Sequence, residues 1–324
     1  MTTTSRNGTK AQVTVGDFLE AACDLLGTEV IAGEAGLANR ILEPTINRPG
    51  LALSGFFEHF ANRRIQVIGL AEHTYLSSMT KEERSRRLRA FFEAKIPCVV
   101  VSRNKKMFPE VKTLSEELGI PAMRTKMITK HFVNGATIIM ENLAAPRMKV
   151  QGTMVEIMGI GVLITGKAGI GKSEAALGLI KKGHALVSDD ITDLRIDSAG
   201  SLLGAPVRTT RYHMEIRGVG IIHIPSLFGV AAVREEKKLD LVVRLELPEP
   251  GDDEDRSGGS RQTRELLGVT VPEIVIPVVA GRDLVNVVET AALDQKLKRL
   301  GHDAAKEFDE RLMDLMTGGM DGSE

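Results

Sequence analysis

Gly166-Lys167-Ala168-Gly169-Ile170-Gly171-Lys172-Ser173 fits the phosphate-cradling pattern G-x-x-x-x-G-K-[ST]. Its flanks decide whether the match has the right context. Before it, Gly161-Val162-Leu163-Ile164-Thr165 is an apolar run of strand length. After it, Ser173 to Lys182 reads as a helix, with Ala176, Leu179 and Ile180 on one face. Lysines fill the last turn and Gly183 follows as a stop. Strand, glycine loop and helix in this order predict an α/β fold with a phosphate chain seated on the helix N-terminus. The glycines let the backbone approach the phosphates. Lys172 reaches the outer ones, and Ser173 offers a hydroxyl to Mg²⁺. A glycine-rich turn that binds nothing would not need sequence, strand and helix to agree.

Working outward, His184-Ala185-Leu186-Val187-Ser188 reads as a strand that ends in Asp189-Asp190. Ligands of α/β sheets sit at the carboxyl ends of strands, so two carboxylates there suit one metal contact and one base. A pair of solvated turn aspartates is the plainer alternative. Only Glu174 to Ser188 separates loop and aspartates, a compact spacing for a P-loop protein. No N-K-x-D segment is present, so a GTPase loses support. Glu215-Ile216-Arg217-Gly218-Val219-Gly220 places a carboxylate and a guanidinium in a glycine-punctuated turn, which fits a site and a surface ion pair equally well. Arg208, Arg211, Arg217, Arg256 and Arg282 could each contact phosphate, and the sequence does not rank them. His184, His213 and His223 are more often structural in such positions, and no pair has H-x-x-x-H spacing.

A chain of 324 residues, 43% hydrophobic and 26% charged, predicts an ordinary globular protein of two domains. A net charge of −1 argues against nucleic-acid binding through bulk charge. Cys23 and Cys98 allow no disulfide framework and no cysteine zinc site, and a reduced, cytoplasmic setting is the simpler reading. Met1 to Lys10 lacks the apolar core of a signal peptide, and no apolar run is long enough to cross a membrane. Helix-like Val15 to Leu26, Lys81 to Ala94 and Val111 to Leu118 alternate with strand-like Ile65 to Gly69 and Cys98 to Ser102. This rhythm predicts an N-terminal α/β layer domain with a parallel sheet and no phosphate loop of its own. The boundary falls near Leu143-Ala144-Ala145-Pro146, giving domains 1–143 and 144–324. In the second, Val150 to Thr165 reads as two strands, Gly251 to Gly259 as the most mobile loop, Glu273 to Ala280 as a strand, and Leu284 to Leu300 and Ala304 to Met316 as helices.

Taken together the motifs resemble a known family. Gly161 to Asp190, GVLITGKAGIGKSEAALGLIKKGHALVSDD, closely resembles the kinase domain of HPr kinase/phosphorylase. Met214 to Val233, MEIRGVGIIHIPSLFGVAAV, looks like its signature segment, and Ile276 to Gly301 is similar as well. In the N-terminal half, VIAGEAGL, NRPGLALSGFFEHFANRRIQVIG and GIPAMRT carry the resemblance, which spans roughly Val13 to Ala305. It implies a homohexameric, cytoplasmic bacterial enzyme that regulates carbohydrate metabolism, with no nucleic-acid or membrane partner. Such enzymes use ATP and Mg²⁺ to phosphorylate a serine of the small carrier protein HPr. The same site removes that phosphate with inorganic phosphate, releasing pyrophosphate. The P-loop domain of the family resembles phosphoenolpyruvate carboxykinase.

Carried over, the resemblance implies that Gly166, Lys167, Ala168, Gly169, Ile170, Gly171, Lys172 and Ser173 bind ATP and that Lys172 is catalytic. Ser173 and Glu215 bind Mg²⁺. Asp190, beside Asp189, is the proton acceptor for the serine. Arg256 is the catalytic arginine, and Pro277, Val278, Val279, Ala280, Gly281 and Arg282 form the segment tied to dephosphorylation. Two stretches depart from the family. Its histidine before the glycine that opens the domain is Gln151 here, and its G-D-S-G loop start is Gly166-Lys167-Ala168-Gly169. Glutamine hydrogen-bonds but carries no proton or charge near neutral pH, so weak reverse activity is expected. A protein-serine kinase is the first reading, favoured by the intact Lys172, Ser173, Asp189, Asp190, Glu215 and Arg256. A catalytically reduced ATP-binding regulatory module and a small-molecule kinase are the alternatives.

Overall fold

The computed structural model describes residues 12–248 and 261–318. The chain divides into two compact units, one whose described part covers residues 12–146 and one whose described part starts at Arg147.

The first unit is built on a five-stranded sheet in the order Thr28–Ala32, Ala122–Thr125, Val99–Val101, Ile65–Ile68, Ile46–Asn47. The last four run parallel, as the βαβ rhythm predicts, but Thr28–Ala32 lies antiparallel at the edge. Strand alternation sends Val67, Val100 and Met123 to one face, where Phe18, Phe132, Ala136 and Met140 of helices Val15–Leu26 and Thr129–Ala144 cover them. Ile68, Val99 and Val101 face Leu88, Phe91, Phe92, Val111 and Leu114 of Lys81–Glu93 and Pro109–Leu118. The helix ends follow local chemistry. Thr14 and Asp17 form a reciprocal capping box, Thr80 caps Glu83, and Gly119, at φ 61°, stops its helix in the left-handed region.

The second unit carries the phosphate loop on a six-stranded sheet. Its order is Ala185–Ser188, Thr153–Ile157, Ile160–Gly166, Leu241–Glu246, Val269–Pro277, Arg261–Leu266. Ile160–Gly166, Leu241–Glu246 and Val269–Pro277 are parallel, and the outer pairings are antiparallel. Helices Lys172–Lys181 and Leu284–Arg299 cover one face through Leu179, Ile180, Val288 and Ala292. Gly178 permits their close approach, since a Cβ there would meet Val285 Cγ2 at 2.4 Å. On the opposite face Met154, Leu163, Val187 and Val242 pack with Leu194 and Leu202. These last two belong to a second, antiparallel sheet in the order Lys237–Lys238, Leu202–Pro206, Ile191–Ile196, Arg147–Gln151.

The stretch expected to hold two strands therefore holds three. Arg147–Gln151 joins the second sheet and Thr153–Ile157 the first, with Gly152 as the corner between them. A Cβ on Gly152 would lie 2.9 Å from Ile164 O, so the corner needs the missing side chain. The strand expected over Glu273 to Ala280 runs instead over Val269–Pro277. Among the described residues no helix is long and apolar enough to cross a membrane.

Candidate active site

Strand Ile160–Gly166 delivers the loop to the sheet edge, and helix Lys172–Lys181 leaves it. Gly166, Gly169 and Gly171 have φ of 143°, 77° and 104°, conformations that L side chains rarely adopt. Gly166 also passes close to the parallel neighbour, where an added Cβ would meet Leu245 O at 2.6 Å. Lys172 is buried, and its Nζ donates to Gly166 O at 3.2 Å and to Lys167 O at 3.1 Å. The cation is thus held inside the curl of the loop. Lys167, Ala168 and Gly169 are exposed.

Asp189 is where the elements meet. It follows strand Ala185–Ser188 and is 5% exposed. Its Oδ1 accepts from Thr153 Oγ1 at 2.8 Å and from Ser173 Oγ at 3.1 Å. Its Oδ2 accepts from the Glu215 backbone N–H at 3.3 Å. One carboxylate therefore ties a core strand, the P-loop helix and the hairpin His213–Ile216/Gly220–His223 to a single point. Burial pushes its pKa above the usual carboxylate range. The Asp190 charge adds to the rise, and the three hydrogen bonds pull the other way.

Asp190 has a different environment. It is exposed, sits at φ 59°, and its carbonyl accepts from Gly152 N at 2.8 Å. The next residue, Ile191, pairs in register with Gln151. The two sheets thus place exposed Gln151 on the strand beside the aspartate corner. Asp189 is a buried holder, whereas Asp190 is open to an incoming group.

Among the described candidate arginines, Arg217 reaches the phosphate loop. Its Nη2 lies 3.1 Å from the position of a Cβ on Gly169. Arg211 is paired with Glu235 and lies over the Tyr212 ring at 4.6 Å. Arg282 Nη1 donates to Pro277 O at 3.2 Å and closes the Pro277 to Arg282 segment on itself. That segment begins beside the sheet, where Val278 N donates to Glu246 O at 2.7 Å. Its following helix also reaches the loop, since Leu284 Cδ1 lies 3.8 Å from a Cβ placed on Gly171. Arg256, with the rest of Gly251 to Gly259, lies outside the described residues.

Sequence reading missed Thr153. The available signal was one hydroxyl in the apolar run Thr153-Met154-Val155, directly after Gly152. Among the described residues no cluster of three or more histidine, cysteine, aspartate or glutamate side chains could hold a metal. The donors at the loop, a serine hydroxyl and carboxylates, are hard oxygens, which suit Mg²⁺ completed by water and phosphate. The glycine cradle and the enclosed Lys172 suit a phosphate chain. The arrangement can seat a polyphosphate, neutralise it, and present a carboxylate at its open side.

Residues 13–140 match the family described as HPr Serine kinase N terminus, and residues 142–312 match HPr Serine kinase C-terminal domain. The chain is 42% identical over 292 residues to an HPr kinase/phosphorylase of Leptospira biflexa serovar Patoc, covering 89% of this chain and 90% of that one. It is 40% identical over 295 residues to that of Caldicellulosiruptor bescii, covering 91% and 95%. A solved structure, that of the Hpr(Ser) kinase/phosphatase from Coxiella burnetii, is similar at 36% identity and a TM-score of 0.45, over 50% of this chain and 98% of that one.

Proposed function

The chain belongs to the HPr serine kinase family and is a phosphotransferase, and from that premise we propose that its P-loop site moves the γ-phosphoryl group of ATP to a serine of an HPr-like carrier protein. The observation that supports this most is the meeting of Ser173, Asp189 and the Glu215 backbone at the mouth of the phosphate loop.

In this reading the backbone from Gly166 to Ser173 cradles the ATP phosphates, and Lys172 turns its ammonium from its own loop carbonyls to the outer phosphate oxygens. Ser173 and Glu215 would hold Mg²⁺, which neutralises phosphate charge when bound. Asp190 accepts the proton of the acceptor serine as its oxygen attacks phosphorus. Asp189 does not take that role. It is buried and already accepts from Thr153, Ser173 and the Glu215 N–H, so it fixes where those groups stand. Arg217 lies where cationic cover of the transferring group is needed, and Arg256 is the second arginine assigned to it. Pro277 to Arg282 is assigned to the reverse direction.

Gln151 supports a directional bias. In the reverse reaction inorganic phosphate must enter beside a phosphoryl group already in place. A neutral amide cannot share a proton with it or offset its charge. The forward reaction depends less on this position. The site is therefore a kinase with weak phosphorolysis. The cytoplasmic location, the homohexamer and the division into domains 1–143 and 144–324 belong to the same proposal. Incubation with labelled ATP, Mg²⁺ and HPr-like proteins tests it. A phosphoserine product is expected, and no transfer to any HPr-like acceptor would overturn the assignment.

A further inference from the structure

His213 and His223 open and close the hairpin that carries Glu215 and Arg217, and they face each other across its two strands. Their ring centroids are 5.0 Å apart with an interplanar angle of 47°. His213 Nδ1 lies 2.8 Å from Arg211 O. A carbonyl only accepts, so Nδ1 carries the hydrogen and the lone pair sits on Nε2. His223 Nδ1 lies 2.7 Å from Ser226 Oγ. A hydroxyl can accept as well as donate, so this ring is also free to place its lone pair on Nε2. In both rings the Nδ1 contact fixes the orientation, as outer partners do for ligating histidines. His213 is exposed and His223 half-buried, while Met214, pointing to the opposite face, is anchored in the core. The nearby cation, Arg211, is already paired with Glu235.

The separation fits a chelate. With a metal–nitrogen distance of about 2.0–2.1 Å and a tetrahedral angle, two imidazole centroids stand roughly 5 Å apart. Imidazole nitrogens favour borderline transition ions, whereas Mg²⁺ favours oxygen, so such a site does not compete for the kinase metal. We infer that His213 and His223 form a two-histidine site for a divalent transition ion of the Zn²⁺ class, whose occupancy clamps the two strands of the hairpin. No third protein ligand joins them among the described residues, so water completes the coordination. Residues two apart on a strand share a face, which puts Glu215 on the same face as His213. Clamping the hairpin therefore restrains Glu215 and Arg217, and the bound ion acts as a brake on phosphoryl transfer. The brake, though not the site, rests on the function proposed above.

The test is isothermal titration of the full chain with ZnCl₂, without nucleotide or Mg²⁺. A single saturable site per chain is expected. His213→Gln and His223→Gln should each weaken it by about tenfold or more, and the double variant should lose little beyond either single one, as a chelate requires. Parent affinity in either single variant would overturn the site. A second measurement follows transfer to an HPr-like acceptor at saturating Mg²⁺. Added ZnCl₂ should slow the parent and leave His223→Gln unaffected, and a parent rate insensitive to bound Zn²⁺ would overturn the brake. The titration needs no turnover, so an inactive parent would count against the kinase assignment and leave the metal site standing.

Discussion

Ser173 Oγ donates to Asp189 Oδ1 at 3.1 Å, so the residue after the P-loop lysine and the acid ending the next strand share a hydrogen bond. The compact spacing of loop and aspartates in sequence thus becomes direct contact in space. It also separates the two neighbouring aspartates by environment, since Asp189 is buried and accepts three hydrogen bonds while Asp190 is exposed.

Lys172→Ala removes the cation that the loop encloses. Transfer to an HPr-like acceptor should fall by about two to three powers of ten, the scale for losing one transition-state electrostatic group. The fold loses only two hydrogen bonds to loop carbonyls, so thermal unfolding should shift far less than turnover. Parent-rate transfer by this variant would remove the P-loop from the mechanism.

Asp190→Asn keeps the size of the exposed side chain and removes its basicity. Serine phosphorylation should drop by about two to four powers of ten, with ATP affinity retained. Normal turnover in this variant would move the base to Asp189 or elsewhere.

Gln151→His tests direction. Pyrophosphate release from serine-phosphorylated HPr and phosphate should rise more than the forward rate does. Robust release by the parent, comparable to its kinase rate, would show that a histidine is dispensable at this corner.

Asp189 gives a pH prediction. Burial raises its folded pKa above the ordinary aspartate value, so its contribution to stability is fully present below that value and is lost as pH rises through the folded pKa. Asp189→Asn cannot ionise. The stability of the variant relative to the parent should therefore climb from acid toward neutral pH and level off above the raised pKa. An amide nitrogen turned toward the Glu215 N–H forfeits one hydrogen bond, which offsets the curve without changing its slope. Parallel stability–pH curves for parent and variant would contradict the raised pKa.

The loop, its helix and the Ala185–Ser188 strand were legible because their signals are local: an apolar run, a glycine pattern and a 3.6-residue period. The second sheet was not. Its strand Arg147–Gln151 pairs with Ile191–Ile196, and the corner that separates it from Thr153–Ile157 is a single glycine inside what reads as one continuous stretch. The same non-local pairing hides the site's finer structure. Arg217 cannot be ranked above Arg208, Arg211 or Arg282 until the hairpin is folded against the loop. The two hairpin histidines look unrelated until the strands are in register. The antiparallel Thr28–Ala32 edge escaped for a similar reason, since strand direction is set by a partner late in the unit, Ala122–Thr125.

Asp190, at φ 59°, occupies backbone space that a residue with a Cβ enters reluctantly, at a cost of order 1–3 kcal/mol. Glycine would sit there without strain. Selection of random variants for heat resistance alone would therefore reward Asp190→Gly, while selection for turnover would purge it. The position is one where laboratory evolution can be steered either way by the choice of screen, and a thermostable library left unassayed for transfer should accumulate inactive members at this codon.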